Sequence, residues 1–302
     1  MLTLRSILCP VDFSPYSKDA LRWAVAFAAR YRSRLTIITA VDPLLAEAAR
    51  TRLHLDLVKD ETEPALGKFV REVLPKDAAW APEVTLEVRV GPASDIIFEA
   101  AARVSSDLIA MGTQGLGGFR KVILGSTTER VLRGVRSPVL AVPPDAARGV
   151  SIDTQGARVD VGRILMATDF SATASTAFEW AVDLAHDLSA PLTVAHVIEP
   201  LNAPAEWTSY IADTDEVRVT GARGKLEQLS QQAAHRERVD TVVSLGRPAD
   251  EIAGIAEDRG AGLVVVGLTG DQGPLAPRPG SIAYRVLGLS AVPVVVVPPR
   301  SL

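Results

Sequence analysis

One cysteine, Cys9, is all that the 302 residues contain, which excludes an intramolecular disulfide and any multi-cysteine metal or iron–sulfur centre. Its place in an apolar run marks it as small core filler. The four histidines, His54, His186, His196 and His235, are scattered, and none stands in a metalloenzyme spacing such as His-Glu-x-x-His. No metal cluster is expected. An excess of positive charge is missing as well: the net charge is −4 and the Lys and Arg residues are dispersed, so there is no basic footprint for a nucleic-acid backbone. No uninterrupted apolar stretch approaches the ~20 residues that span a bilayer, and Met1-Leu2-Thr3-Leu4-Arg5 leads straight into strand-like sequence. Neither nucleic acid nor membrane is expected as a partner, and the chain reads as a soluble cytoplasmic protein.

What is present is a duplication. Gly112-Thr113-Gln114-Gly115, nine residues and then Gly125-Ser126 return as Gly267-Leu268-Thr269-Gly270, nine residues and then Gly280-Ser281. Each copy follows a short apolar run, Leu108–Met111 or Leu263–Val266. The repeat extends to Arg5–Ser14 against Gly162–Ser171, Leu35–Pro43 against Leu192–Pro200, Gly91 against Gly246, and Ser137–Pro144 against Val292–Pro299. An internal repeat of this length decides the architecture. The expected domains are 1–144 and 161–302, each of a size to hold its own core, with the Gly-, Ala-, Asp-, Arg- and Ser-rich stretch 145–160 as linker.

Within the first half, Ile7–Val11 is a buried strand, after which Ser14 caps a helix and Pro15 takes its first position. Leu21, Ala24, Val25, Ala28 and Tyr31 recur at helical spacing. Leu35–Val41 is the second strand, Ala46–Leu74 a helical stretch, Thr85–Val90 the third strand and Ser94–Val104 a helix. Strand Leu108–Met111, the glycine loop, helix Thr127–Gly134 and strand Val139–Val142 complete the half. The second half repeats the order with strands Arg163–Thr168, Leu192–Val197, Thr241–Leu245, Leu263–Val266 and Val294–Val297. Its middle segment Leu201–Arg238 is least repeat-like, and Leu226, Leu229 and Ala233 fit the inner face of a helix. Alternating strands and helices, with strands apolar on both faces, predict parallel sheets sandwiched by helices. The expected fold is two tandem Rossmann-like doubly wound α/β domains, each with a five-stranded parallel sheet of order 3-2-1-4-5 and helices on both faces.

In such a sheet ligands sit beyond the carboxyl ends of the strands, where the strand order reverses. Asp12 and Asp169 end the first strands, and Gly112 and Gly267 the fourth. The aspartate suits an adenine amine or a ribose hydroxyl. Gly112 and Gly115 permit close ligand approach and positive φ. Gly125 does so just before a helix where Ser126 and Thr127 add hydroxyls and amides, with the positive end of the dipole facing phosphate. Other nucleotide motifs are absent. Cys9–Tyr16 and Met166–Thr173 hold no glycine for a Gly-x-Gly-x-x-Gly turn, and neither Gly67-Lys68 nor Gly224-Lys225 has the upstream glycine and following Ser or Thr of a Walker loop. The Ser-Gly-Gly-x-Asp-Ser loop of nucleotide-activating ligases is also missing.

These residues resemble the universal stress protein family, whose nucleotide-binding members carry Gly-x2-Gly-x9-Gly-Ser/Thr after the fourth strand, and the resemblance covers nearly the whole chain. Pro10, Asp12 and Ser14 match the family's early aspartate motif; Asp169 and Ser171 repeat it, with Ala167 in place of the proline. His196-Val197 matches the family's pair whose main chain meets the base, and the first half has Thr39-Ala40 there. The resemblance implies contacts from Pro10, Asp12, Ala40, Met111, Gly112, Gly115, Gly125, Ser126 and Thr127 in one half, and from Asp169, Val197, Gly267, Gly270, Gly280 and Ser281 in the other. It implies ATP or ADP as ligand, magnesium or manganese as companion of the phosphates, a role in stress response, and at most weak ATP hydrolysis. No residue stands out as catalytic: Glu129, just after Gly125-Ser126, reads as a solvated or salt-bridged first-turn carboxylate. A nucleotide-free dimerising or adaptor protein and a slow ATPase stay open as alternatives.

Two further expectations concern the halves together. The last strands, Val139–Val142 and Val294–Val297, are β-rich, apolar and closed by Pro-Pro, so pairing of the halves as an intramolecular pseudo-dimer is expected, with homodimerisation open besides. The sites should be unequal. Between its later glycines the first half carries Arg120 and Lys121, whereas the second has Asp271 and three prolines, with Arg278 as partial compensation, so the second site should hold ATP more weakly or prefer a less charged adenosine ligand.

Overall fold

The computed structural model describes residues 1–75, 78–114, 124–201, 208–233, 238–270 and 281–300, and the side chains of all of these but 208–213 and 281. The contacts divide the chain into Thr3–Asp160 and a second unit of Val161–Leu302 with Met1–Leu2.

In the first unit the strands are β1 (Ser6–Pro10), β2 (Arg34–Val41), β3 (Val84–Val90), β4 (Leu108–Gly112) and β5 (Val139–Val142). All pair in parallel, in the order β3-β2-β1-β4-β5. The helices are α1 (Pro15–Tyr31), α2 (Pro43–Ala48), α3 (Glu63–Arg71), α4 (Ala93–Arg103) and α5 (Ser126–Gly134). From β1 to β3 the chain steps one way across the sheet, and from β3 to β5 the other. Right-handed crossovers therefore put α1 and α3 on one face and α4 and α5 on the opposite one. Ile7, Leu8 and Cys9 of β1 and Leu108, Ile109 and Ala110 of β4 are fully buried, as a centre covered on both sides requires.

Helix α1 starts as its sequence specifies. Ser14 is extended and its Oγ accepts from Ser17 N at 3.1 Å, with Pro15 next in line. The stretch 46–74 departs from one continuous helix. It breaks into α2, two π-helical turns (Ala49–Leu53 and Leu57–Thr62) and α3, with His54 left-handed at φ 54°. Asp56 supplies the physical reason: its Oδ1 accepts from Lys59 N at 3.3 Å and starts a new turn.

Residues 145–160 pack on the first unit. Ala146–Gly149 forms a 3₁₀ turn, and β6 (Val150–Ile152) pairs antiparallel with β7 (Ala157–Val159) around an Asp153 turn. The buried Trp23 of α1 holds this segment, donating from Nε1 to Ala146 O at 2.8 Å. A methyl on Gly149 would stand 2.6 Å from the Trp23 ring.

The second unit repeats the plan with β8 (Ile164–Ala167), α6 (Ala172–Leu188), β9 (Leu192–Ile198), α7 (Thr208–Ala233), β10 (Val239–Leu245), α8 (Pro248–Asp258), β11 (Leu263–Gly267), α9 (Ser281–Leu289) and β12 (Val294–Val297). Its strands are parallel in the order β10-β9-β8-β11-β12. Leu226 and Ala233 of α7 are buried and Leu229 half-buried, the inward face that the spacing predicts. Among the described residues no helix is long and apolar enough to cross a membrane.

Candidate functional site

At the carboxyl ends of β1, β2 and β4 the first unit opens into a cavity of 380 Å³. Its size lies within the range of small-molecule sites. Of the residues expected there, Pro10, Asp12, Ala40, Met111, Gly112, Gly125, Ser126 and Thr127 line it together. Gly115, Arg120 and Lys121 lie outside the described residues.

The aspartate is placed by an unusual turn. Phe13, directly after it, is left-handed at φ 63°, a conformation that strains a side-chain-bearing residue. Asp12 Oδ1 stabilises the turn by accepting from Ser14 N at 3.0 Å and Ser14 Oγ at 2.5 Å. The Asp12 amide in turn donates to Ser17 Oγ at 3.3 Å. Oδ1 is thus committed to the protein, and none of the described hydrogen bonds engages Oδ2.

The opposite end is built from β4 and α5. Gly125 precedes α5 with no side-chain cap, so the first amides of the helix keep their donors. Ser126, Thr127 and Thr128 surround that helix start, the arrangement that suits a phosphate or other anion. Thr128 Oγ1 donates to Gly112 O at 2.9 Å, tying α5 to the end of β4. Gly125 N donates to Thr113 O at 2.8 Å across the same junction. Glu129 pairs with Arg133 one turn along α5, as a first-turn surface carboxylate does.

The reason for Gly112 differs from the one its motif suggests. Neither Gly112 nor Gly125 has positive φ. At Gly112 the constraint is proximity: a Cβ would stand 3.2 Å from Tyr16 C and O and from Gln114 O. Positive φ belongs instead to Gly91, at 153°, at the end of β3. A Cβ there would meet Ile96 Cδ1 at 3.3 Å.

Sequence reasoning missed the apolar wall. Ile38 of β2 with Ala93, Ile96 and Ile97 of α4 line the cavity, as do Val11, Ser17, Thr39, Gln114, Leu124 and Thr128. A signal was available, since the paired Gly91 and Gly246 mark the strand end that α4 covers. Among the described lining residues Asp12 is the only charged side chain. The described lining is thus largely apolar, with one carboxylate, Asp12, and the uncapped amides that start α5.

In the second unit Asp169 ends the corresponding turn, with Phe170 at φ 64° and Ser171 N donating to Asp169 Oδ1 at 3.0 Å. Gly270 lies against that carboxylate: its Cβ would be 2.7 Å from Asp169 Oδ2. Gly267 ends β11 against Thr173, and Thr173 Oγ1 and Thr269 Oγ1 are hydrogen-bonded at 2.9 Å. Val197 is half-buried on β9. Its neighbour His196 places Nδ1 2.7 Å from Thr168 O and its ring 4.5 Å from that of Phe170. Gly280 lies outside the described residues, and Ser281 begins α9.

Comparison with known proteins follows the same division of the chain. The model of the universal stress protein family matches residues 3–143 and again 161–298. A universal stress protein of Methanocaldococcus jannaschii is 32% identical over 142 residues, 46% of this chain and 81% of its own length. One of Mycolicibacterium smegmatis is 26% identical, covering 97% of both chains. Among solved structures, a universal stress protein of Archaeoglobus fulgidus superposes with TM-score 0.66 at 23% identity, over 99% of this chain and 98% of its own, a likeness of fold.

Proposed function

The chain belongs to the universal stress protein family as a tandem of two such domains, and from that premise we propose that it binds ATP or ADP in the crevice of its first half. In this role it is a nucleotide-dependent regulator of a stress response, with weak or no hydrolysis. The observation that carries the proposal is the convergence of Asp12, Ala40, Gly112, Gly125, Ser126 and Thr127, from four separate chain segments, on one cavity.

The base fits between Ile38 and the β2 main chain on one side and Ala93, Ile96 and Ile97 on the other, where apolar contact favours a flat ring. Asp12 Oδ2 accepts from the adenine amine or a ribose hydroxyl. Gly112 lets the sugar approach β4, and the α5 amides with Ser126 and Thr127 receive phosphate oxygens. Magnesium or manganese would neutralise a phosphate chain, held by the phosphates themselves. No described group of three or more His, Cys, Asp or Glu side chains is arranged to hold an ion on its own. Glu129 pairs with Arg133 along α5, and we take the protein as a switch rather than an enzyme.

Equilibrium titration with ATP and ADP tests the proposal. Asp12→Asn keeps an acceptor at Oδ1 for the turn and places a donor at the other branch. It should weaken nucleotide about tenfold to a hundredfold, the worth of a hydrogen bond to a charged group. Unchanged affinity in the folded variant refutes the assignment. A single-turnover assay distinguishes the slow-ATPase alternative, and absence of any bound nucleotide favours the adaptor one. We also propose that the halves pair through β5 and β12 as an intramolecular pseudo-dimer, so that separately produced halves should sediment as a one-to-one complex when mixed.

A further inference from the structure

Strand β10 ends the sheet of the second unit and pairs with β9 alone among the described strands. Gly246 N, just past its end, donates to Ile198 O of β9. Alternation along the strand then turns the N–H and C=O groups of Thr241 and Val243 outward, away from β9. Val239 O lies on the same outward side, where Ser230 Oγ of α7 donates to it at 3.2 Å. Beyond this point the edge opens into a groove of 520 Å³, lined by Thr241, Val242 and Val243 with Arg223 and Glu227 of α7 and Arg259 at the end of α8.

The first half ties the matching strand to its helix with charge. Glu87 of β3 pairs with Arg103 of α4 at 2.6 Å and with Arg89 at 3.3 Å, and Arg89 reaches Glu99 of α4 at 3.7 Å. In the repeat, Glu87, Arg89, Glu99 and Arg103 become Val242, Ser244, Gly254 and Asp258. The network has no counterpart there, and a Cβ on Gly254 would meet nothing within 4 Å. Neither Arg223 nor Arg259 enters a described ion pair. The groove lining thus sets two guanidiniums against one carboxylate, that of Glu227.

We propose that this groove binds an extended peptide segment, which adds to β10 as a further strand and carries carboxylates on both of its faces. The proposal is independent of the nucleotide site. Outward main-chain groups on an edge strand are satisfied by another extended chain, and the two arginines select its charge. The flanking elements set the spacing. Ser230 is level with Val239, and Arg223 lies two turns earlier on α7, ~10 Å along the helix axis and so beside the middle of β10. Arg259 stands near the strand starts, since Leu263, just after it, is level with Ile164, Leu192 and Val239. The chain reverses its direction across the sheet at β10, so right-handed crossovers put α7 and α8 on opposite faces. Side chains that reach both faces of a strand are an odd number of residues apart, and ~10 Å spans about three.

The test is fluorescence anisotropy on the full chain with a labelled, end-blocked heptapeptide of threonine and valine that has glutamate at its second and fifth places. It should bind. Moving the later glutamate to the fourth place puts both carboxylates on one face and should weaken binding several-fold, and lysine in both places should abolish it. Arg223→Glu and Arg259→Glu, both at exposed positions, should each weaken binding about tenfold by setting like charges together. Bound peptide should also slow hydrogen exchange at the amides of Thr241 and Val243. No binding by the unmodified chain, binding indifferent to both arginine variants, or unchanged exchange at Thr241 and Val243 overturns the proposal. Equal binding of the two glutamate spacings overturns the assignment of carboxylates to both faces.

Discussion

A methyl group on Gly112 would be crowded, because the Tyr16 carbonyl and the Gln114 carbonyl oxygen stand 3.2 Å from where it would be. Gly112→Ala should therefore force β4 and the start of α1 apart by a few tenths of an ångström. The expected loss is about 1–3 kcal/mol of stability, the usual effect of overpacking, measurable by urea denaturation, together with weaker nucleotide binding. Cys9 makes a second residue-scale case. It is fully buried, and burial pushes its thiol well above the usual range, so it stays protonated and inert at ordinary pH. A thiol reagent at pH 8 should label it only at the rate of unfolding; rapid labelling of folded protein would contradict this. At this scale the placement of Asp12, Gly112 and Gly125 beside one cavity was legible, because strand ends and helix starts have local signals. Ile96, Ile97 and Thr128 were not, since an isoleucine at helical spacing looks the same whether it faces packed core or a cavity wall.

At the scale of elements, α5 is held to β4 by the Thr128 hydroxyl, and the isosteric Thr128→Val change removes that bond while keeping volume. It should lower stability by about 1 kcal/mol and nucleotide affinity several-fold, as the α5 amides lose their fixed aim at the ligand. The hairpin β6–β7 offers another test. Trp23 closes over the turn that precedes it, so a fragment ending at Asp160 should be more stable than one ending at Pro144 by about 2 kcal/mol or more, the burial of one large side chain. Equal denaturation midpoints would show that the segment adds nothing. Elements whose signals are local were legible: Ser14-Pro15 marks the α1 start, and the four-residue valine-rich runs mark the last strands. The hairpin was not, because its three-residue strands are too short for a period and its anchor lies on α1, far away in sequence. The break of 46–74 depends on competition between helix continuation and the Asp56 side chain, which spacing alone does not resolve.

Across the whole molecule the duplication made the fold readable twice over, and the two copies agree in strand order and in the turn after the first strand. If only the first half takes nucleotide, MgATP at a hundred times its dissociation constant should raise that half's opening free energy by about 2.7 kcal/mol and leave the other unchanged. Hydrogen exchange read peptide by peptide checks this, and equal protection of both halves would contradict it. The left-handed phenylalanines then acquire a diagnostic meaning. Backbone strain in a protein is commonly taken as a pointer to a working site, yet here φ is 63° at Phe13 and 64° at Phe170, in two halves whose last helices open differently, with Thr127 and Thr128 in one and Ile282 and Ala283 in the other. Strain shared by both copies tracks ancestry and the turning of the chain, whereas the side chains that differ track the ligand. In a duplicated protein the second copy thus serves as an internal control, separating what the architecture demands from what the chemistry selects.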